Sequence, residues 1–196
     1  MTRTYQKKKR AQAEAETRRR IVEAAIALHT TVGPARTTIS AIADKAGVQR
    51  HTVYSHFPEE HTLFAACTSH WASLHPFPPA ESWEAATDPL HRLSLALRHV
   101  WAWYADVEPD LELFSRDAAL VPAVQADMTR YAEHLAAVAD RLAADIGDSK
   151  VVRAAVGHAL AFETWRSLVR REGLTTDDAT DAMLALVERS SSAQAT

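Results

Sequence analysis

The sequence predicts an all-α fold in two parts, a small N-terminal three-helix domain and a larger C-terminal helical domain. Three observations predict it. Glycine is scarce, at 5 of 196 residues, and asparagine is absent, while the helix formers Ala, Leu, Arg and Glu abound. Apolar residues recur at three- and four-residue spacing along most of the chain, with no strand signal of note. Charge is split between the parts: residues 1–57 hold 11 Lys+Arg against 4 Asp+Glu, and residues 58–196 hold 11 against 21. A basic first third on an acidic remainder suits a nucleic-acid-binding head on a body that does not itself meet phosphate.

Residues 1–16 have no apolar face and read as a basic flexible arm that turns helical towards its end. Lys7, Lys8, Lys9 and Arg10 form a charge block there, suited to phosphate or minor-groove contact or else to a solvated tail. Thr17 to about Val32 is the first firm helix, with Ile21, Ala25, Leu28 and Val32 on one face. Arg18, Arg19 and Arg20 crowd its expected start and oppose the helix dipole, which is compatible with an anionic partner nearby. Gly33-Pro34 ends it.

Thr38 to Phe57, TISAIADKAGVQRHTVYSHF, reads as two short helices joined by a tight turn. Ile39, Ile42, Ala43 and Ala46 make one apolar face, and Thr38 precedes it as an N-cap. Gly47 stands where a left-handed residue is needed to stop the helix. Val48 fills the corner. A second helix over 49–56 turns Val53 and Phe57 inward and leaves Gln49, Arg50, His51, Thr52, Tyr54 and His56 polar. The small Ala43, Gly47 four later and Val53 six further give a helix-turn-helix spacing, with a domain over 17–58.

Pro58 breaks the second helix, and a helix with Leu63, Phe64, Cys67 and Trp71 on one face runs to about Leu74. The loop from His75 through Pro79 follows. Five helical segments are expected beyond Asp88-Pro89, a cap with proline at the first helical position. Leu90, Leu93, Leu97, Trp101 and Tyr104 line the first. Pro109 to Leu120 is a shorter one. Pro122 to Ile146 is long, Ser149 to Glu172 is apolar on two sides, and Asp177 to Arg189 is the last.

Three pieces, RRRIVEAAIALHTTVG, TTISAIADKAGV and HTVYSHFPEEHTLF, resemble the DNA-binding domain of TetR-type (TetR/AcrR family) transcriptional regulators over about a quarter of the chain, from Arg18 to Phe64. The pairing of Thr52, Val53, Tyr54, His56 and Phe57 with a following Pro58 and Leu63-Phe64 carries the likeness. The resemblance implies a ligand-responsive regulator, a repressor by the family's usual habit, that binds a palindromic double-stranded DNA operator as a homodimer. The last two helices, about 149–189, would then pair in a four-helix bundle. Gln49, Arg50 and His51 stand at the start of the recognition helix, where Gln can pair with adenine and Arg with guanine. Thr38 offers a phosphate contact at the first helix's start, and family positions matching Thr52, Tyr54 and His56 hold phosphates. The family's usual basic residue near Glu60 is missing here, and His51 stands where many relatives carry a small residue.

The remaining residues, 59–196, would form the helical effector-binding and dimerisation domain. Trp71, Trp101, Tyr104, Phe114, Tyr131, His134, His158 and Phe162 are its candidate effector contacts, suited to a small hydrophobic or aromatic molecule. By resemblance, ligand binding there biases the dimer away from the spacing that fits DNA. No signal peptide or spanning segment is read, so the expected location is the cytoplasm with no membrane partner. No nucleotide, hydrolase or metalloprotease fingerprint is present, and no catalytic residue or cofactor is expected. A catalytic role would have to rest on Cys67, the one cysteine, with a nearby histidine. Two other readings stay open: a ligand-independent architectural DNA-binding protein, and a metal-sensing regulator using pairs such as His70 with His75 or His91 with His99.

Overall fold

The computed structural model describes residues 3–192, and every regular element among them is helical. The chain divides into two compact units. The first takes the residues up to His75 together with Pro109–Met128; the second takes Pro76–Glu108 and the residues from Thr129 on.

In the first unit, α1 (Arg3–His29), α2 (Ile39–Ala46), α3 (Arg50–His56) and α4 (Glu60–Leu74) enclose one core. Ile21, Ala25, Ile42, Ala43, Val53, Phe57, Leu63 and Cys67 fill it, and Ile21, Ala25 and Val53 are wholly buried. The expected caps form. The Thr38 hydroxyl accepts the Ala41 N–H at 3.1 Å. Gly47 takes φ +66°, and the Val48 N–H closes onto the Ala43 carbonyl at 3.0 Å. The α3 face that alternates with Val53 and Phe57 is left outward.

α1 begins at Arg3, not at Thr17. The basic block expected in an arm is thus carried on a helix, and Arg18, Arg19 and Arg20 lie in mid-helix rather than at an N-terminus. Each has its own contact. The Arg18 guanidinium stacks over the Phe57 ring at 4.3 Å, Arg19 bridges Glu16 and Glu23 one turn either way, and Arg20 donates to the Ala46 carbonyl at 3.1 Å. The dipole cost read from the sequence falls away with the new start.

Two further boundaries differ from expectation, for opposite reasons. α6 runs unbroken over Pro89–Asp117 with Pro109 inside it. Proline removes the hydrogen bond to the carbonyl four residues back, here on Ala105. Ala105 and Pro109 are both exposed, so that carbonyl can stay hydrated, while buried Val107 and Leu111 anchor the helix on either side. Conversely, the single helix expected over 149–172 is interrupted. α8 (Lys150–Leu160) stops at Ala161, whose ψ of 139° is extended, and α9 (Phe162–Trp165) leads into a wider π-helical turn over Arg166–Arg171. The break turns two carbonyls away from the helix, and buried donors from α6 meet them. Trp101 Nε1 donates to Ala159 at 3.1 Å and the Tyr104 hydroxyl to Leu160 at 2.7 Å.

α7 (Pro122–Ala144) and α10 (Thr176–Ser192) complete the long helices, and α8 packs on α10 in the second unit. A one-turn helix α5 (Glu81–Glu84), in a stretch given no element from sequence, seats Trp83 in the core of that unit. No helix among the described residues is long and apolar enough to cross a membrane.

Candidate functional site

The outward face of α2–α3 is built by its own inward face. Val53 at 0% and Phe57 at 3% exposure fix the rotation of α3. That rotation leaves Gln49, Arg50, His51 and Tyr54 exposed and Thr52 and His56 half-buried. Gln49 is the residue before α3, and its side chain makes no capping bond, so the amide is available to a base edge. Thr38 accepts the Ala41 N–H, which leaves its own O–H to donate to a phosphate. All seven sequence-predicted contact residues therefore belong to one helix-turn-helix. His51 and Thr52 approach each other at 3.5 Å, and Ser55 bonds back to the His51 carbonyl. At the start of α4, Glu59 lies 3.2 Å from His61 Nδ1.

A second feature fixes the loop that enters α2, and sequence reasoning missed it. Asp117, at the end of α6, is 1% exposed and accepts the Ala35 N–H at 2.9 Å. Arg116 clamps that carboxylate through Nε at 2.7 Å and also donates to the Val32 carbonyl at 3.0 Å. The Arg116 guanidinium, more than burial can oppose, holds the Asp117 carboxyl below its ordinary range. Gly33 crosses this clamp at φ +95°, and a Cβ there would lie 2.1 Å from Arg116 Nη2 and 2.4 Å from Asp117 Oδ2. An aspartate 82 residues from its partner leaves no local pattern to find.

The eight candidate effector residues fall into two groups. Trp71 and Phe114 meet edge to face at 5.7 Å in the first unit, where Trp71 Nε1 donates to Asp110 at 2.7 Å. Trp101, Tyr104, Tyr131, His134, His158 and Phe162 lie in the second. There the Tyr131 hydroxyl donates to that of Tyr104 at 2.8 Å, which in turn serves Leu160. Burial raises both phenols well above their ordinary range. Trp101 and Tyr104 are fully buried core residues with satisfied polar atoms. Phe162 stacks on Trp165 beside Tyr104. His134 is exposed and meets Phe77 edge to face at 4.9 Å, and Phe77 meets Trp103 at 5.3 Å. His158 is exposed and lies 3.2 Å from the Thr164 hydroxyl. Phe77, Trp103 and Trp165 join these rings without having been singled out from sequence.

Two clefts lie elsewhere. One of about 740 Å³ runs between α1 and α4 past Arg18, Val22, Thr62, Ala66 and His70. Another of about 380 Å³ lies in the second unit beside Trp83, Arg92 and Arg141. Neither is lined by any of the eight. Cys67 is buried with its thiol pushed up to about 12, which makes it a poor nucleophile. Among the described residues no three His, Cys, Asp or Glu side chains group as metal ligands do.

With this geometry in place, residues 21–67 match the family of bacterial regulatory proteins, tetR family. The head is similar to that family's head. The match spans the last third of α1 through about half of α4 and includes every DNA-contact candidate named above. Solved structures extend the likeness in fold to the body. A structure named as a TetR-family transcriptional regulator from Syntrophomonas wolfei aligns over 90% of this chain and 95% of its own, at 16% identity and TM-score 0.62. A transcriptional regulator from Rhodococcus sp. Rha1 aligns over 88% and 96%, at 16% identity and TM-score 0.61. The multidrug binding protein EbrR, solved with imidazole, aligns over 86% and 88%, at 22% identity and TM-score 0.60. A comparison with curated proteins finds no sequence match.

Proposed function

We propose that the chain is a transcriptional repressor that binds a two-fold symmetric operator as a homodimer and is released by a small hydrophobic or aromatic effector. The observation that carries the DNA half is the rotation of α3, which exposes Gln49, Arg50 and His51 together beside the capped start of α2. One helix of seven residues reads only a few base pairs, so two heads are needed for a specific site. The α8–α10 pair is the candidate pairing surface, and exposed Val151 and Leu186 on it support the reading. For the effector, the rings of Phe77, Trp103, Tyr131 and His134 supply stacking surface, and Trp71 with Phe114 supplies another. Drug binding by EbrR, a neighbour in fold, favours this over a ligand-independent architectural role.

Selection of duplex DNA from a random pool by the purified protein tests the reading. A palindromic consensus with equal half-sites is expected. Binding without sequence preference, fading steeply with salt, would leave only phosphate attraction and sink it. Release of that duplex is then screened against small aromatic compounds. A metal-sensing role would show instead as release by zinc or nickel.

A further inference from the structure

Deepening that reading, and resting on it, we infer that the N-terminal half of α1 is a rigid basic lever that engages phosphates of the duplex flanking the operator. α1 is one helix from Arg3 to His29, and only its second half packs into the head. Residues 5–16 are all exposed. From Arg3 to Thr17 the helix projects roughly 21 Å at 1.5 Å per residue, about the length of six base pairs of duplex. Lys7, Lys8, Lys9 and Arg10 ride on this projection, and among the described residues none of the four is paired with an acid. Of the two acids next along the helix, Glu14 and Glu16, Glu16 is bound to Arg19, one turn closer to the head.

The direction of the lever follows from what holds its base. Arg18 stacks on Phe57, the residue that ends α3, and Arg20 bonds the carbonyl of Ala46, which ends α2. The helix therefore leaves the head beside the helix-turn-helix itself. Its other end, at His29, stacks on Phe64 of α4. The charge block is thus carried out from the end of α1 that touches the DNA-reading elements. Helicity adds a second argument. Lys7 and Arg10, three apart on the helix, repel each other beside Lys8 and Lys9, and nothing packs on the projection to offset that cost. Polyanionic duplex is the partner whose charge removes it.

The test uses the full chain and the operator recovered by selection. Failure of the wild type to select any consensus would overturn the regulator reading and this one with it. With a consensus in hand, affinity is measured by fluorescence anisotropy on two duplexes, one trimmed to the operator and one with ten more base pairs on each side. The wild type is expected to prefer the longer duplex. The variant with Lys7→Gln, Lys8→Gln, Lys9→Gln and Arg10→Gln should select the same consensus and lose that preference. Four consecutive residues point to all sides of a helix, so about two of them face one duplex; two phosphate contacts change the salt slope by roughly 1.8, and doubling the salt should weaken the wild type about 3.5-fold more than the variant for each arm engaged. Ala13→Pro keeps every charge but breaks the helix between block and head. It should lose most of the flank preference too. An unchanged slope and preference in the glutamine variant would overturn the contact. A proline variant matching the wild type would overturn the lever, since a loose polycation would then suffice.

Discussion

Gly33→Ala measures how tightly α6 grips the head. The substitution has two separable costs. At φ +95° an alanine is strained by about 1–2 kcal/mol whatever surrounds it. Its methyl would also lie 2.4 Å from Asp117 Oδ2, so the carboxylate must move off the Ala35 N–H. Losing a hydrogen bond to a charged acceptor costs about 1.5–3 kcal/mol, reduced here because Ala35 is exposed and water can replace the partner. We expect about 3 kcal/mol in total, read as a fall in the urea midpoint. Asp117→Ala alone should cost about 2 kcal/mol through the same lost bond. The two are then not additive. The double variant should be more stable than the sum of singles by roughly 1–2 kcal/mol, because the bond can be lost only once. Additivity within ~0.5 kcal/mol would show that the methyl and the carboxylate do not compete, and the clamp reasoning would fail.

Three further outcomes follow from buried groups. Burial holds the His29 imidazole neutral, with its pKa down at about 4 against an ordinary 6.5. The unfolded chain therefore binds an extra proton between those values, and stability should fall as pH drops from 6.5 towards 4, by up to ~3 kcal/mol; His29→Leu should flatten that slope in urea melts at each pH. Tyr104→Phe removes the donor to Leu160 and the acceptor of Tyr131 together, and should cost about 1–3 kcal/mol. Tyr131→Phe leaves Tyr104 bonded to Leu160 and should cost under ~1 kcal/mol, so equal losses would refute the order of that chain. Cys67, buried with its thiol near 12, should resist a thiol reagent in the folded state at pH 8 and react at once in urea.

The head was legible because its signals are local. Thr38 and Gly47 act within four residues of themselves, and Val53 and Phe57 fix one short helix by their own spacing. The same locality explains the misplaced start of α1. Arg18, Arg19 and Arg20 read as a crowded N-terminus because apolar periodicity begins only at Ile21. An exposed helix of Lys, Arg, Ala, Gln and Glu has no apolar face to show, although each of these residues favours helix.

The body was less legible because tertiary hydrogen bonds decide its shape. The stretch from Ser149 to Glu172 has continuous helical periodicity, and nothing in it marks Ala161 as a break. A break there leaves Ala159 and Leu160 with unserved carbonyls, which a buried helix cannot leave unpaired. Trp101 and Tyr104, three apart on α6, present an N–H and an O–H to those two carbonyls from one face. The pattern that made these residues candidates for an effector pocket is therefore met in full by core chemistry. Each is buried, aromatic and polar at its tip, and each tip is satisfied within the protein. Effector contacts are better sought among rings that keep an exposed edge. Tyr131 is half-buried and donates to a hydroxyl rather than a carbonyl, and His134 is exposed, so both can turn a face outward without releasing a buried carbonyl. Sequence spacing places an aromatic residue on a helix face; only its hydrogen-bond partner tells whether it is structure or site.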